Sequence, residues 1–158
     1  MSESDDAPSH GRKLYHLYAR HSQEYTWLGF EIPPGSPKTV QPSGQTLVKE
    51  SFEAVTTSAP AKIDNGALLT HEYPVDHALL DGQWYRTGEA KGLFVMTYLG
   101  ADAPETDAGW IYATVEPGGE KIREIGLIES CMKCHQRAPH GRLFGMPRSR
   151  SASRAAQP

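Results

Sequence analysis

Cys131-Met132-Lys133-Cys134-His135 constrains this chain more than any other stretch. Two thiols three positions apart, with an imidazole directly after the second, form the attachment sequence of a c-type haem. That spacing sets the thiols about one helical turn apart, so that each can make a thioether to one haem vinyl group while the adjacent imidazole meets the iron. The residues therefore predict a single covalently attached haem c, held by Cys131 and Cys134, with His135 as the iron ligand. Other uses of the motif fit less well. Zinc needs four ligands, and the chain has only these two cysteines. His10 and His140 form no recognisable pair. A thioredoxin-like redox pair wants a βαβ setting that the flanking sequence lacks, and a disulfide between residues three apart is geometrically poor.

A length of 158 residues suits one domain with a modest core around a haem. With 38% hydrophobic residues, 15 Gly and 12 Pro, the composition is that of a turn-rich domain and not of a helical bundle. The formal net charge of −3 provides no basic field for nucleic acid. No apolar run approaches the length of a membrane span. The opening Met1 to Asp6 lacks the basic and apolar regions of a secretory signal. Haem c is attached after export, so the motif predicts a periplasmic location, with the export signal missing from this chain.

Three regions are expected: a polar, disordered lead over 1–12, a haem domain over 13–147, and a serine-rich, disordered tail over 148–158. Within the domain, Leu14, Leu17 and Tyr18 suggest a short amphipathic helix from Lys13 to about Gln23, carrying His16 and His21 on its solvent side. Tyr25 to Phe30 reads as a short strand or aromatic turn stopped by the prolines at 33, 34 and 37. Residues 44–55 are rich in β-branched and aromatic side chains and predict a strand, with Leu47, Lys49 and Ser51 on one face and Val48, Glu50 and Phe52 on the other. A short strand is expected near Leu68 to Glu72. Asp81-Gly82 marks a hairpin turn before Trp84-Tyr85. Lys91 to Leu99 reads as a central strand covered on both faces, followed by a loop over 100–108 and a strand from Gly109 to Val115. After a turn over Glu116 to Glu120, Lys121 to Ile125 returns as a short strand. The haem motif opens a short helix within Ile128 to Ala138, and Arg142 beyond it is in reach of a haem propionate. The fold class is thus mainly β (α+β): an antiparallel sheet, a few short peripheral helices, and a c-type haem near the C-terminus.

Thr46 to Glu50, Lys91 to Met96, Gly109 to Tyr112, and Ser130 to His135 followed by Arg142-Leu143-Phe144 occur in an order that resembles the cytochrome P-460 family, which includes the cytochromes c′-beta. The resemblance spans about Leu14 to Pro147. It implies a mainly antiparallel sheet, a homodimer, and a five-coordinate haem with one open face. In the P-460 branch a strand lysine is bonded to the porphyrin edge and the protein oxidises hydroxylamine. In the c′-beta branch the haem binds nitric oxide beneath an aromatic cap. Lys49 is the residue that matches the family's cross-linking lysine.

Hydroxylamine oxidation also needs a proton acceptor near the open face. Glu50, Glu124 and Glu129 are candidates by their nearness to the motif positions. A sixth iron ligand would make an electron carrier instead, and Met96, Met146 and His140 are the side chains to consider. An open face lined by aromatics from Trp27, Phe30, Phe52 and Phe94 is the expectation. Three functions compete: oxidation of hydroxylamine or nitric oxide with electrons passed to a soluble cytochrome, nitric oxide binding without turnover, and simple electron transfer.

Overall fold

A computed structural model describes residues 13–26, 41–62 and 74–145. The chain runs β1 (Lys13–Ala19), α1 (Ser22–Thr26), β2 (Thr46–Thr57), β3 (His77–Leu80), β4 (Gln83–Tyr98), β5 (Trp110–Val115), β6 (Ile122–Gly126) and α2 (Glu129–His135). The described strands join one antiparallel sheet in the order β1-β2-β4-β5-β6, with β3 paired to β4. The expected class of a mainly antiparallel sheet with short helices holds. Among the described residues no helix is long and apolar enough to cross a membrane.

The 16-residue β4 is the spine. Its first half lies between β2 and β3, and its second half lies between β2 and β5. The hairpin expected at Asp81-Gly82 joins β3 to β4. Both turn residues take the left-handed conformation, with φ of 48° and 80°, as a two-residue hairpin turn requires. Register slips occur after Ser51 and after Phe52. At the first slip Gly92 has φ +138°, and a Cβ there would stand 2.8 Å from the Val115 carbonyl oxygen. Only glycine lets β5 come this close. Ser51, which is buried, donates from Oγ to the Gly92 carbonyl at 3.0 Å and fastens the irregularity. Ser51→Ala is expected to cost about 1 kcal/mol of unfolding free energy, measured by urea denaturation; an unchanged midpoint would mean that the bulge needs no such tie.

The helix expected from Lys13 to Gln23 does not form. Lys13–Ala19 is an edge strand paired to β2 from Lys13↔Glu53 to Ala19↔Leu47. An uncapped helix of that length is marginal on its own, whereas pairing with β2 satisfies the backbone along the whole segment. The spacing of Leu14, Leu17 and Tyr18 misleads because β1 buries apolar surface on both faces. Leu14 is completely buried on one face, and Leu17 and Ala19 pack against the main core on the other. The helix that does form begins at Ser22 and is a little over one turn long. Gln45, fully buried, ties this corner to β2: its Oε1 accepts from the His21 N–H at 2.8 Å and its Nε2 donates to the His21 carbonyl at 2.9 Å.

The strand or aromatic turn expected from Tyr25 is not found at its first two residues, since Tyr25 and Thr26 close α1. The other strand and helix expectations agree with the fold to within a few residues, although β4 begins well before Lys91. The expected strand near Leu68 to Glu72, the segment from Trp27 to Pro37, and the lead and tail lie outside the described residues. The core consists of Tyr25, Leu47, Met96, Trp110, Tyr112, Ile128, Cys131 and Leu143. It lies between one face of the sheet and the C-terminal segment that carries α2.

Candidate haem-attachment site

Strand alternation decides which side chains face α2. Across β1, β2, β4 and β5 one rung aligns Ala19, Leu47, Met96 and Tyr112, and the next aligns Leu17, Lys49, Phe94 and Thr114. Members of both rungs pack in or against the core that includes Cys131. Lys49 therefore shares its sheet face with the side chains beneath the motif.

The motif lies on α2, beginning one turn after the strand β6. Cys131 is buried at 8% exposure and Cys134 is half-buried, and both thiols are free. Burial pushes the Cys131 thiol above its ordinary pKa. Among the described residues no three His, Cys, Asp or Glu side chains gather in a group that could hold a metal ion. Glu129 and Lys133 pair at 2.6 Å on the exposed side of the helix, which puts Glu129 in solvent.

His135 is held on three sides. Its Nδ1 lies 2.7 Å from the Arg142 carbonyl oxygen. A carbonyl only accepts, so Nδ1 carries the proton and Nε2 presents a lone pair. The rings of Tyr112 and Phe144 flank the imidazole, each with its centroid 5.5 Å away. Burial, chiefly, lowers the His135 pKa, with the nearby Lys49 charge adding to the effect and the Arg142 hydrogen bond opposing it. The ring is thus neutral and has its tautomer fixed, the state a metal-binding histidine needs.

Lys49 Nζ sits 3.7 Å from the centroid of the Tyr15 ring, on the strand next door. Burial pushes its pKa down to about 8; Cys134 opposes this and Lys13 assists it. Lys49, Cys134 and His135 are thus close enough to act on one another electrostatically. These residues fit a haem c: two free thiols on one helix, an imidazole with Nε2 presented, and a lysine whose neutral amine is accessible near neutral pH.

Arg142 is engaged by a carboxylate. Its Nε donates to both oxygens of Asp107 at 2.9 Å, and its Nη2 donates to Oδ1 at 2.7 Å. Tyr112 Oη donates to Oδ2 at 2.9 Å. The Arg142 fork, above all, holds the Asp107 carboxyl below the usual carboxylate range, while burial and Asp107 push the Tyr112 hydroxyl up.

Other expected residues are scattered. Glu50 lies on the opposite face of β2 and accepts from Tyr18 Oη at 3.3 Å. Glu124 is exposed on the edge strand β6. Phe52 also lies on the opposite face, against His16 with centroids 5.3 Å apart, so it does not line the Lys49 side. Phe94 does, and it carries the Lys13 ammonium 5.9 Å from its ring centroid. Met96 is buried in the core, and His140 is exposed. Trp27, Phe30 and Met146 lie outside the described residues. Tyr15, Asp107 and Tyr112 are site neighbours that no motif in the sequence marks as such. Tyr112 lay on an alternating strand, a weak signal; Asp107 was one of three acidic residues in a loop.

Comparison with protein-family models, with curated proteins and with solved structures returns no match.

Proposed function

We propose that this chain is a periplasmic monohaem c-type cytochrome of the cytochrome P-460 kind, with an open iron face, that oxidises hydroxylamine or nitric oxide and passes the electrons to a soluble cytochrome. Cys131 and Cys134 would hold the haem by thioethers, and His135 would bind its iron through Nε2. Once bound, a haem supplies one-electron redox chemistry and an iron site for a small nitrogen ligand. The observation that carries the reading is that Lys49, on the core-facing side of β2, acts electrostatically on His135 and is acted on by Cys134, both on α2.

Each side chain has a separable task. The Arg142 carbonyl and the two flanking rings orient His135. Lys49 offers a neutral amine where the family resemblance implies a bond to the porphyrin edge. The N–H groups of Arg142 not directed at Asp107 are suited to a propionate. Phe94 and Tyr15 border Lys49 on this face with aromatic rings. The resemblance further implies a homodimer, and the sheet ends in β1 and β6 leave edges for pairing.

One observation favours a second reading, nitric oxide binding without turnover. Glu50 lies on the far face and Glu129 is exposed on α2. Glu124 is on the Lys49 face through its pairing with Thr114, but it is exposed on the edge strand β6, three strands from β2, so none of the three is a buried carboxylate beside Lys49. Visible spectra of the haem-loaded protein and of Lys49→Ala, ferric and dithionite-reduced, separate the readings. A ferrous Soret band far to the red of ordinary haem c, lost in the variant, is expected for the cross-linked oxidase. Identical five-coordinate haem c spectra would leave gas binding, and sharp six-coordinate low-spin bands would mean an electron carrier.

A further inference from the structure

Asp107 is fixed in the frame of the sheet. Its backbone N–H donates to the Trp110 carbonyl at 2.8 Å, and the Trp110 N–H donates back at 3.1 Å. Trp110 itself opens β5 and is 1% exposed. The Asp107 side chain is 6% exposed, against 24% for Arg142. This is a buried carboxylate gripping a fork, unlike the surface pairs that contribute little.

The grip acts on backbone. Arg142 has φ +79° and follows Gly141 at φ +59°. A side-chain-bearing residue in that region costs about 1 kcal/mol, so its surroundings must hold it there. The carbonyl turned inward by this conformation is the one that accepts from His135 Nδ1. Tyr112, two residues beyond Trp110, donates to the same carboxylate and lays its ring beside the same imidazole.

We propose that Asp107 is the positioning residue for His135, transmitting the fixed geometry of β5 through the Arg142 backbone to the imidazole. The inference rests on the reading of His135 as the iron ligand. Asp107 touches neither the ring nor the ligand site. It sets the strength and direction of the Nδ1–H···O=C bond, and hence how much electron density the imidazole offers through Nε2.

The segment has other anchors, so its loss of aim is separable from loss of fold. Leu143 is 1% exposed, and Tyr25 Oη donates to the Gly145 carbonyl at 3.1 Å. In Asp107→Asn the segment therefore stays docked while Arg142 relaxes.

The test compares haem-loaded wild type, Asp107→Asn, Arg142→Lys and Asp102→Asn by covalent haem per chain, the ferrous iron–histidine stretching band, and the midpoint potential. In Asp107→Asn the band is expected to fall in frequency and broaden. The ferric–ferrous equilibrium is expected to shift about tenfold toward ferrous, or about 59 mV for one electron. Arg142→Lys keeps the charge but loses the fork, and is expected to move both readouts in the same direction; it carries the test if Asp107→Asn does not fold. Asp102→Asn removes an exposed carboxylate of the same loop, leaves the clamp whole, and is expected to keep the band near its wild-type frequency. A wild-type band and potential in both clamp variants, with haem bound, would overturn the positioning role while leaving the haem reading intact. A wild-type chain that takes up no covalent haem would overturn both.

Discussion

Lys49→Met is expected to stabilise the haem-free chain by about 2 kcal/mol at pH 7. Lys49 lies in the middle of β2 on the core-facing side, and burial lowers its pKa from 10.5 to about 8. That difference corresponds to about 3 kcal/mol of penalty on the charged form, of which the Tyr15 ring 3.7 Å from the ammonium returns about 1 kcal/mol. The sign follows from where the proton is bound. Below pH 8 both folded and unfolded chains hold it, and the fold bears the full penalty. Between about 8 and 10.5 the folded chain has released the proton and the unfolded chain has not, so stability rises with pH. Methionine has no proton to release. Urea midpoints of the two proteins should therefore draw together as pH rises through this window. A gap that stays constant from pH 7 to 10 would mean that Lys49 is solvated and carries no such penalty. The outcome bears on function, because an amine that is neutral near pH 8 is the form able to make a bond.

Trp110→Ala should have the largest effect on stability, a loss of about 4 kcal/mol. Trp110 is 1% exposed, packs its ring 5.1 Å from that of Tyr98, and belongs to the cluster shared with Cys131 and Leu143. Truncation removes this surface and leaves a cavity between the sheet and the C-terminal segment. It also loosens the backbone exchange with Asp107, which begins at the same residue. Denaturant unfolding monitored by far-ultraviolet circular dichroism measures the loss; a change under 1 kcal/mol would indicate that the site collapses and refills. Trp110→Phe keeps most of the volume and should recover more than half of the loss.

Elements whose local pattern matches their environment were legible in the sequence. The apolar run from Lys91 belongs to a strand flanked on both edges, and Asp81-Gly82 forms the turn its residue types favour. The helix at Cys131 lies where the motif requires it. The misread segment is β1, where a three-and-four spacing of apolar residues arose from a strand buried on both faces. Periodicity alone does not distinguish these cases. The candidate site divides similarly. Cys131, Cys134 and His135 are contiguous and carry a motif, whereas Asp107 reaches Arg142 across 35 residues. Nothing local sets Asp107 apart from Asp102 or Glu105 in the same loop; only the backbone exchange with Trp110 turns its carboxylate inward. Tyr15 meets Lys49 only because β1 pairs with β2, so the misread helix concealed that contact as well.

The hydrogen bond from Tyr25 to the Gly145 carbonyl joins positions 120 residues apart. Closing a loop of that length costs about 4 kcal/mol of chain entropy, and the cost is recovered only once the intervening sheet has shortened the path. The strands are therefore expected to assemble first and the C-terminal strap to latch last. Until it does, α2 lacks what the strap brings, the packing of Leu143 into the core and the Arg142 carbonyl on His135, and on the proposed haem reading its two thiols would then be open to the machinery that attaches the group. On that reading, the order of folding would leave a period for maturation that ends when Tyr25 closes the strap.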